Sequence, residues 1–511
     1  MKYFLTIDNG GTNTKVVLFT QCGHQVAVSS FPTPGLEPKP GFHEINLNQL
    51  KQTLLKAIKQ TILDAQIDSK EIVALTTVGH GKGLYVLDEQ RQIFTSGILS
   101  ADSRGKNLAQ KFEKEITQIF SISNQHVMPS QAPILLRWLK ENQPEIYTKI
   151  GIVFSNKDFI GYLLTGECKQ ELGDASGNNL VNLQTKQYDA RLFDFFEIPE
   201  MLSKMPPLIT ATQKRGSLLP EIAQEVGLPE NLPVIAGMFD IDACCLATGV
   251  LDEQYFNLIA GTWNINTFPS DTLAKQDSGL MNSCFVGEKY LIEASSPTSA
   301  GNLEIIIKML MTAELRDVKD AGASIYDNLE HFLNTTDATF SQVLYLPFLY
   351  GSQVNQDATG SFLGLQSTTT KSELIRAVYE GITFAHRYHV EQLLQVVAKP
   401  PKALRLAGGA TNSQSWMQMF ADVLNLPVET VEANELGGLG GAIIAAVSLE
   451  IYPDLTTAVA NMVKGKQCFL PDVKQVEIYA KKYQAYRQIL IALEQSWTVL
   501  KTMTKEEKND D

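Results

Sequence analysis

The residues best suited to chemistry in this chain form a polar turn at 8–15, between two short apolar runs at 3–7 and 16–19. The runs predict the two strands of a hairpin, and the glycines of the turn leave backbone N–H groups bare, which favours anion binding. Asp8 ends the first strand, where a carboxylate can hold a metal ion through water. This combination suits the phosphates of a nucleoside triphosphate, although an ordinary hairpin turn would show the same pattern.

A second turn of this kind, Gly261-Thr262, follows the predicted strand 255–260. Two phosphate-type turns so far apart in the chain indicate two domains of related design that face a shared cleft. We therefore expect a domain boundary near residues 249–252.

A candidate general base, Asp240, stands after the apolar run 234–235, at the predicted start of a helix. A carboxylate there can accept the proton of an attacking hydroxyl, and it also interacts favourably with the helix dipole. An aspartate that only caps the helix would have the same pattern. Asp242 is the local competitor for the role of base.

The composition restricts the class of protein. The chain has 511 residues, of which 44% are hydrophobic and 19% charged, as is typical of a globular protein with two or more domains. Its net charge of −13 argues against a nucleic-acid binder, and no apolar run is long enough to predict a membrane span. The N-terminus is too short and polar for a signal peptide, and the six cysteines show no C-x-x-C spacing, so we expect a cytoplasmic protein with reduced thiols.

Strand-like and helix-like segments alternate through the first half of the chain, which predicts α/β layers. Residues 47–66 have the apolar spacing of a helix, and residues 476–493 predict an amphipathic helix. Neither a G-x-x-x-x-G-K-[ST] loop nor a G-x-G-x-x-G turn after a strand occurs. The glycine-rich stretch 437–441 opens a segment of small residues, which we interpret as close helix packing.

The segment 360–365 (GSFLGL), followed seven residues later by 373–380 (ELIRAVYE), resembles the C-terminal signature of the FGGY carbohydrate kinases at every defined position. Other features resemble this family in the expected order. They are the phosphate turns at 8–15 and 261–262, an aspartate–arginine element at 100–104 and an adenosine motif at 406–418. The resemblance extends over residues 3–495.

The resemblance implies an α/β fold in which two actin-like, ribonuclease H-like ATPase domains flank a deep cleft. It implies an N-terminal, sugar-binding domain at 1–250 and a C-terminal, ATP-binding domain at 251–475. A C-terminal helix would pack back within 476–511 and end in a frayed tail. The implied cofactors are ATP and Mg²⁺, the implied partner is a small-molecule sugar, and a homodimer is a further expectation.

The resemblance also implies roles for single residues. Asp240 would be the catalytic base and Asp8 the Mg²⁺ ligand. Small and polar residues of the two turns would contact phosphate: Thr12, Asn13, Gly261 and Thr262. The adenosine motif would contribute Gly408, Gly409 and Ser413. The implied sugar-binding residues are Lys82, Asp102, His80 and Trp263.

Two departures from the family pattern bear on the substrate. Lys82 stands where many pentulose kinases have histidine, and Trp263 stands where the family usually has serine. We expect an ATP-dependent kinase that transfers the γ-phosphoryl group to a hydroxyl of a ketopentose such as L-xylulose. The alternatives are D-xylulose, L-ribulose, a 3-keto sugar acid, a tetritol or glycerol as substrate, or a non-catalytic, sugar-sensing actin-like protein.

Overall fold

The structure is a computed structural model that describes residues 1–275, 278–320, 322, 324–352, 354–355 and 357–505. It divides into two compact units. The first contains Met1–Leu251, Pro269–Ile292 and Glu432–Lys464, and the second contains Asp252–Phe268, Glu293–Val431 and the chain from Gly465 onward. The first boundary lies close to the predicted one, but residues 269–292 and 432–464, which we assigned to the C-terminal domain, belong to the first unit.

A mixed six-stranded sheet forms the centre of the first unit. Its strands lie in the order Lys214–Ser217, Pro233–Phe239, Ile72–Gly79, Tyr3–Asn9, Asn13–Thr20 and Gln25–Pro32. The strand Tyr3–Asn9 pairs antiparallel with Asn13–Thr20, as the hairpin prediction requires, and parallel with Ile72–Gly79. Because Pro233–Phe239 is also parallel to Ile72–Gly79, three neighbouring strands end at the same edge of the sheet.

Helices cover this sheet and bury its apolar side chains. The helix predicted at 47–66 spans Leu47–Ala65, is capped by the Asn46 side chain, and buries Leu50, Leu54 and Ile58. The other helices of eight or more residues in this unit are Lys106–Glu113, Ala132–Asn142, Asn156–Thr165, Asp240–Ala247, Leu436–Ser448 and Leu455–Met462.

The glycine-rich helix Leu436–Ser448 packs closely against its neighbours. A Cβ added at Gly440 would overlap the backbone carbonyl of Ala243, and one added at Gly441 would overlap the Thr6 side chain. The interpretation of these glycines as packing residues is therefore confirmed.

A seven-stranded sheet forms the centre of the second unit, and six of its strands repeat the strand order of the first sheet. Its strands lie in the order Met281–Cys284, Tyr290–Ser296, Asn264–Ser270, Tyr255–Ala260, Ala403–Ala407, Val428–Val431 and Gly465–Phe469. Tyr255–Ala260 again pairs antiparallel with the strand that follows it and parallel with a strand from much later in the chain. The expectation of two domains of related design is confirmed at the level of topology.

Helices of the second unit include the predicted C-terminal one, which spans Val473–Ala492 and buries Tyr479, Tyr483, Tyr486 and Leu490. The longest helix, Lys371–Leu394, begins with a capping box between Thr370 and Glu373. The other helices of eight or more residues are Ala300–Leu310, Thr312–Asp320, Ile325–Asn334, Gln414–Leu424 and Glu494–Lys505. Of the predicted frayed tail, residues 506–511 lie outside the described residues.

Across the described ranges, no helix combines the length and the apolar character needed to cross a membrane. All six cysteines are free thiols.

Candidate active site

The first predicted phosphate turn joins the antiparallel strands Tyr3–Asn9 and Asn13–Thr20 of the first sheet. Asp8 lies opposite Lys15 in the register of the hairpin, and the Gly10 amide donates to the Asn13 carbonyl at 2.9 Å. Thr12 and Asn13 are exposed at the tip of this turn. The donors that we predicted to contact phosphate are therefore open to a ligand.

Asp8 is half-buried beside the start of the glycine-rich helix. A Cβ at Gly437 would overlap its carboxylate, so only glycine leaves room for it there. Burial raises the pKa of Asp8 to about 6, the charge of Lys15 opposes this rise, and Glu435 adds to it. Lys15 is itself held by Glu435, with 2.8 Å between Nζ and Oε2.

Asp240 is the first residue of the helix Asp240–Ala247 and directly follows the strand Pro233–Phe239. Phe239 occupies the cap position, so the alternative of a simple N-cap aspartate does not hold. Burial and the charge of Asp8 raise the pKa of Asp240 to about 8, while a hydrogen bond from the Ile241 amide and the charge of Lys82 lower it. Asp242, the competitor, is only 2% exposed, whereas Asp240 remains partly accessible.

These pKa shifts indicate that three predicted site residues lie within electrostatic range of one another: Asp8, Lys82 and Asp240. Asp8 and Asp240 lie at the ends of two of the parallel strands, and the Lys82 loop follows the third. Two partly buried carboxylates, one of which makes ionisation of the other costly, are suited to Mg²⁺, which binds one or two carboxylates together with phosphate oxygens and water. Within the described part of the chain, no group of three or more His, Cys, Asp or Glu side chains forms a complete protein cage for a metal.

The loop at residues 80–83, which we call the sugar loop because sugar binding is predicted there, follows the strand Ile72–Gly79. Lys82 is half-buried and has a left-handed backbone, with φ of 64°, which a residue with a side chain rarely adopts. His80 is buried, and both of its ring nitrogens are engaged, Nδ1 with the Gly81 carbonyl and Nε2 with the Tyr85 hydroxyl. Burial lowers the pKa of His80 to about 4, so its ring is neutral near pH 7.

Asp102 is buried and fully engaged by the protein. Its carboxylate accepts hydrogen bonds from the backbone amides of His43 and Arg104, both at 2.8 Å, and from the Arg104 guanidinium. The guanidinium lies over the rings of Phe42 and Trp138, 4.3 and 5.1 Å from their centroids. The predicted polyol acceptor therefore orders this segment, and its oxygens already have partners.

The second phosphate turn belongs to the second unit. Gly261 and Thr262 connect two antiparallel strands, and the Gly261 amide donates to the Trp263 carbonyl at 3.3 Å. Trp263 is 37% exposed, which is unusual for so large an apolar side chain. It is the one predicted sugar-binding residue in this unit, since Lys82, Asp102 and His80 lie in the first.

Next to this turn, the adenosine motif starts from the parallel strand Ala403–Ala407. Gly408 has φ of 93°, and a Cβ there would lie 2.8 Å from the Ala260 carbonyl oxygen. Gly409 follows with open space around its α-carbon. Gly408 thus allows its backbone to lie close to that of Ala260, whereas Gly409 leaves open space that a ligand could enter.

A cavity of about 510 Å³ opens beside these residues, large enough for a nucleoside. Thr262, Gly409 and Ser413 line it, as the adenosine prediction expects. Ser413 donates from its hydroxyl to Glu330 and accepts from the Trp416 amide at 3.0 Å, so its hydrogen-bonding capacity is largely used. Sequence reasoning missed the rest of the wall, which includes Glu304, Tyr326, Asp327, Glu330, Tyr379 and Trp416.

The missed residues come from four separate helices, and they carry no shared motif. The sequence indicated one of them indirectly: Trp416 lies in the segment that we matched to the adenosine motif, although we did not predict that it contacts the nucleotide.

Sequence profiles of one family match both halves of the chain: the N-terminal domain of the FGGY family of carbohydrate kinases matches residues 3–247, and its C-terminal domain matches 256–449. The chain is 29% identical to the L-xylulose/3-keto-L-gulonate kinase of Escherichia coli (strain K12) over 96% of this chain and 97% of that protein. It is 30% identical to a probable L-xylulose kinase of Pasteurella multocida (strain Pm70) over 96% and 99%.

Solved structures show the same fold. The xylulose kinase from Rhodospirillum rubrum has a TM-score of 0.86 at 25% identity, over 97% of this chain and 100% of that one. The ligand-bound xylulose kinase from Lactobacillus acidophilus has a TM-score of 0.89 at 24% identity, over 98% and 100%. The predicted actin-like, ribonuclease H-like α/β fold is confirmed by these matches.

Proposed function

The chain belongs to the FGGY family of carbohydrate kinases, and from this premise we propose that it transfers the γ-phosphoryl group of ATP to a hydroxyl of a ketopentose such as L-xylulose. An ATP-dependent sugar phosphotransferase is what the family establishes. The ketopentose and the residue roles are our proposal.

The observation that carries the residue roles is the arrangement at the edge of the first sheet. Three parallel strands bring Asp8, the Lys82 loop and Asp240 to one end, and the pKa of Asp240 responds to both of the other charges. Phosphoryl transfer to a neutral hydroxyl requires a base, a carboxylate that binds a metal ion, and a cation, all close enough to interact electrostatically.

Asp240 is proposed to take the proton of the sugar hydroxyl. The hydroxyl oxygen then forms a bond to the γ-phosphorus, and the bond from that phosphorus to the β–γ bridging oxygen breaks, so that ADP leaves with the electron pair. A base with a raised pKa is a stronger proton acceptor than an ordinary aspartate, which favours this step. Mg²⁺, when bound near Asp8, would supply the positive charge that neutralises the phosphate oxygens.

His80 and Asp102 are proposed to shape the sugar pocket indirectly. Their polar atoms already have protein partners, so they hold the 80–83 loop and the 100–104 segment in place. Lys82 keeps its proposed direct contact with the sugar, since it is half-buried in the 80–83 loop and its charge acts on Asp240, the proposed base. Trp263, in the second unit, stays a predicted sugar-binding residue, because its partly exposed ring offers an apolar surface to a ligand.

A keto sugar acid is the second candidate substrate, and Lys82 is the observation that favours it. A lysine in place of the histidine of many pentulose kinases adds a positive charge that a carboxylate would complement. The name of the Escherichia coli relative includes both L-xylulose and 3-keto-L-gulonate. D-Xylulose, L-ribulose, tetritols and glycerol remain further alternatives, and we propose a cytoplasmic location.

A coupled assay of ADP release tests this function. We expect turnover with Mg²⁺ and ATP to rise on addition of L-xylulose. The rise should be smaller with D-xylulose, L-ribulose, a tetritol or glycerol. A 3-keto sugar acid, the second candidate substrate, is assayed beside them. A non-catalytic sugar sensor would bind sugar and show no sugar-stimulated turnover, which would contradict the proposal.

A further inference from the structure

A chain of buried polar side chains runs from the first phosphate turn to the sugar loop. Its members are Asn9, Asn156, Tyr85 and His80, which we call the relay. All four are buried, and all four belong to the first unit. They come from different elements: Asn9 ends the first strand, His80 is the first residue of the sugar loop, Tyr85 begins the strand Tyr85–Leu87 just after that loop, and Asn156 begins the helix Asn156–Thr165.

The hydrogen bonds of the relay have a defined direction. Asn156 Nδ2 donates to Asn9 Oδ1 at 3.3 Å and to the Tyr85 hydroxyl at 2.9 Å. The Gly81 carbonyl can only accept, so His80 Nδ1 carries the proton of their 3.3 Å bond. His80 Nε2 is therefore the acceptor, and the Tyr85 hydroxyl donates to it at 3.0 Å.

At its first end the relay holds the phosphate turn. Asn9 Nδ2 donates to Thr14 Oγ1 at 3.3 Å and to the Gly10 carbonyl at 3.4 Å. Thr33 donates to the same carbonyl at 3.0 Å. A phosphate that moves the turn must also move the Asn9 amide.

At its other end the relay supports a loop with one strained residue. Lys82 has a left-handed backbone, with φ of 64°, and in a residue with a side chain such a conformation persists only where surrounding contacts fix it. A Cβ at Gly81 would overlap the ring of Phe239, the residue before Asp240. A shift of this loop therefore reaches both Lys82 and the strand that carries Asp240.

We propose that Tyr85 and Asn156 are positioning residues that transmit nucleotide binding at the phosphate turn to the geometry of the sugar loop. The inference rests on the proposed function, because it takes the turn as the phosphate site and the loop as the sugar site. The relay orders the Lys82 loop once nucleotide is bound, so that the enzyme binds sugar in a prepared pocket.

Hydrogen–deuterium exchange of the full chain with the non-hydrolysable analogue AMP-PNP and Mg²⁺ tests this without a sugar. In the wild type, the analogue should slow exchange in peptides covering residues 9–14 and also, by about fivefold or more, in those covering 80–85. Tyr85→Phe removes the hydroxyl but keeps the ring, which stacks on Phe159 with 5.7 Å between centroids. In this variant the analogue should still slow exchange at residues 9–14, whereas the slowing at 80–85 should fall below about twofold.

Tyr162→Phe is the matched control. It also removes one hydroxyl, which donates to the Arg91 carbonyl at 3.1 Å, and it keeps a ring stacked on Phe154. Exchange in this variant should follow the wild type. Asn156→Ala breaks the relay one residue nearer the phosphate turn. It should lose the protection of residues 80–85 in the same way as Tyr85→Phe.

Two results overturn the inference in distinguishable ways. In the first, the analogue protects residues 9–14 of the wild type but leaves exchange at 80–85 unchanged, or it protects 80–85 in both relay variants as strongly as in the wild type. Either outcome would show that the relay does not transmit nucleotide binding. If 9–14 is not protected at all, the phosphate turn of the proposed function is wrong, and the inference fails with it.

Discussion

Asp240 combines a partly accessible carboxylate with surroundings that make its ionisation costly. Its pKa of about 8 results chiefly from burial, and the negative charges of Asp8 and Asp174 raise it further. An acid with this pKa is largely protonated near pH 7, and a cation beside Asp8 would lower its pKa by offsetting one of the negative charges that raise it. The geometry thus links the availability of the base to the presence of the metal.

Asp240→Asn should reduce turnover by about 10²- to 10⁴-fold, because an amide cannot take the proton of the sugar hydroxyl. Binding of ATP, measured by calorimetry, should change little. Asp242→Asn is the control, since it replaces a neighbouring buried acid that the proposed reaction does not use. Near-wild-type turnover in Asp240→Asn would refute its assignment as the base.

The same substitution should affect stability in a pH-dependent way. The pKa of Asp240 is raised from its ordinary value of 3.8 to about 8, so between these values the folded protein holds a proton that the unfolded chain has released. The free energy of unfolding therefore falls as pH rises through this range, and it falls less in the Asn variant. The Tm of Asp240→Asn minus that of the wild type should be larger at about pH 9 than at about pH 5. An unchanged difference would show that the carboxylate pKa is not raised.

Lys82→Ala should reduce kcat/KM for the sugar by roughly 10- to 100-fold while the KM for ATP stays similar, because a charged hydrogen bond to substrate is lost. Lys149→Ala, at an exposed lysine of the same unit, is the control and should change neither. A selective loss with a keto sugar acid would favour the acid as substrate. A change of less than about twofold with every sugar would remove Lys82 from the site.

Among elements, the glycine-rich helix Leu436–Ser448 bears most directly on the site, because it packs against both Asp8 and the helix that starts at Asp240. Gly440→Ala should lower the urea midpoint of unfolding by the equivalent of about 1–3 kcal/mol or more, since its Cβ would meet the Ala243 backbone rather than a side chain that can move. Gly465→Ala, where nothing lies within 4 Å of the added Cβ, should be nearly neutral. Equal midpoints for the two variants would contradict the close packing.

The sequence predicted those elements whose pattern is local. The hairpin around the phosphate turn, the helix Leu47–Ala65 and the C-terminal amphipathic helix each follow from apolar spacing and turn residues. The roles of His80 and Asp102 could not be predicted in the same way. Their partners, Tyr85 and the amide of His43, are fixed only when separate strands and loops come together.

At the scale of the whole molecule, the sheets of the two units share the order of six strands, and the two predicted phosphate turns had indicated such a relation. Their interleaving along the chain was not predicted. Residues 432–464 join the first unit because their glycines fit against Thr6, Asp8 and Ala243, a complementarity between distant surfaces that sequence spacing does not encode. The acidic and aromatic wall of the nucleoside-sized cavity was missed for the same reason.

The most direct test of the central claim follows the phosphoryl group itself. Wild-type protein is incubated with Mg²⁺, L-xylulose and ATP labelled at the γ-phosphate, beside Asp240→Asn as the inactive control, and the sugar products are separated. We predict that the label moves into a phosphorylated ketopentose with the wild type and remains in ATP with the variant. Release of the label only as inorganic phosphate, or equal transfer by the two proteins, would contradict the account.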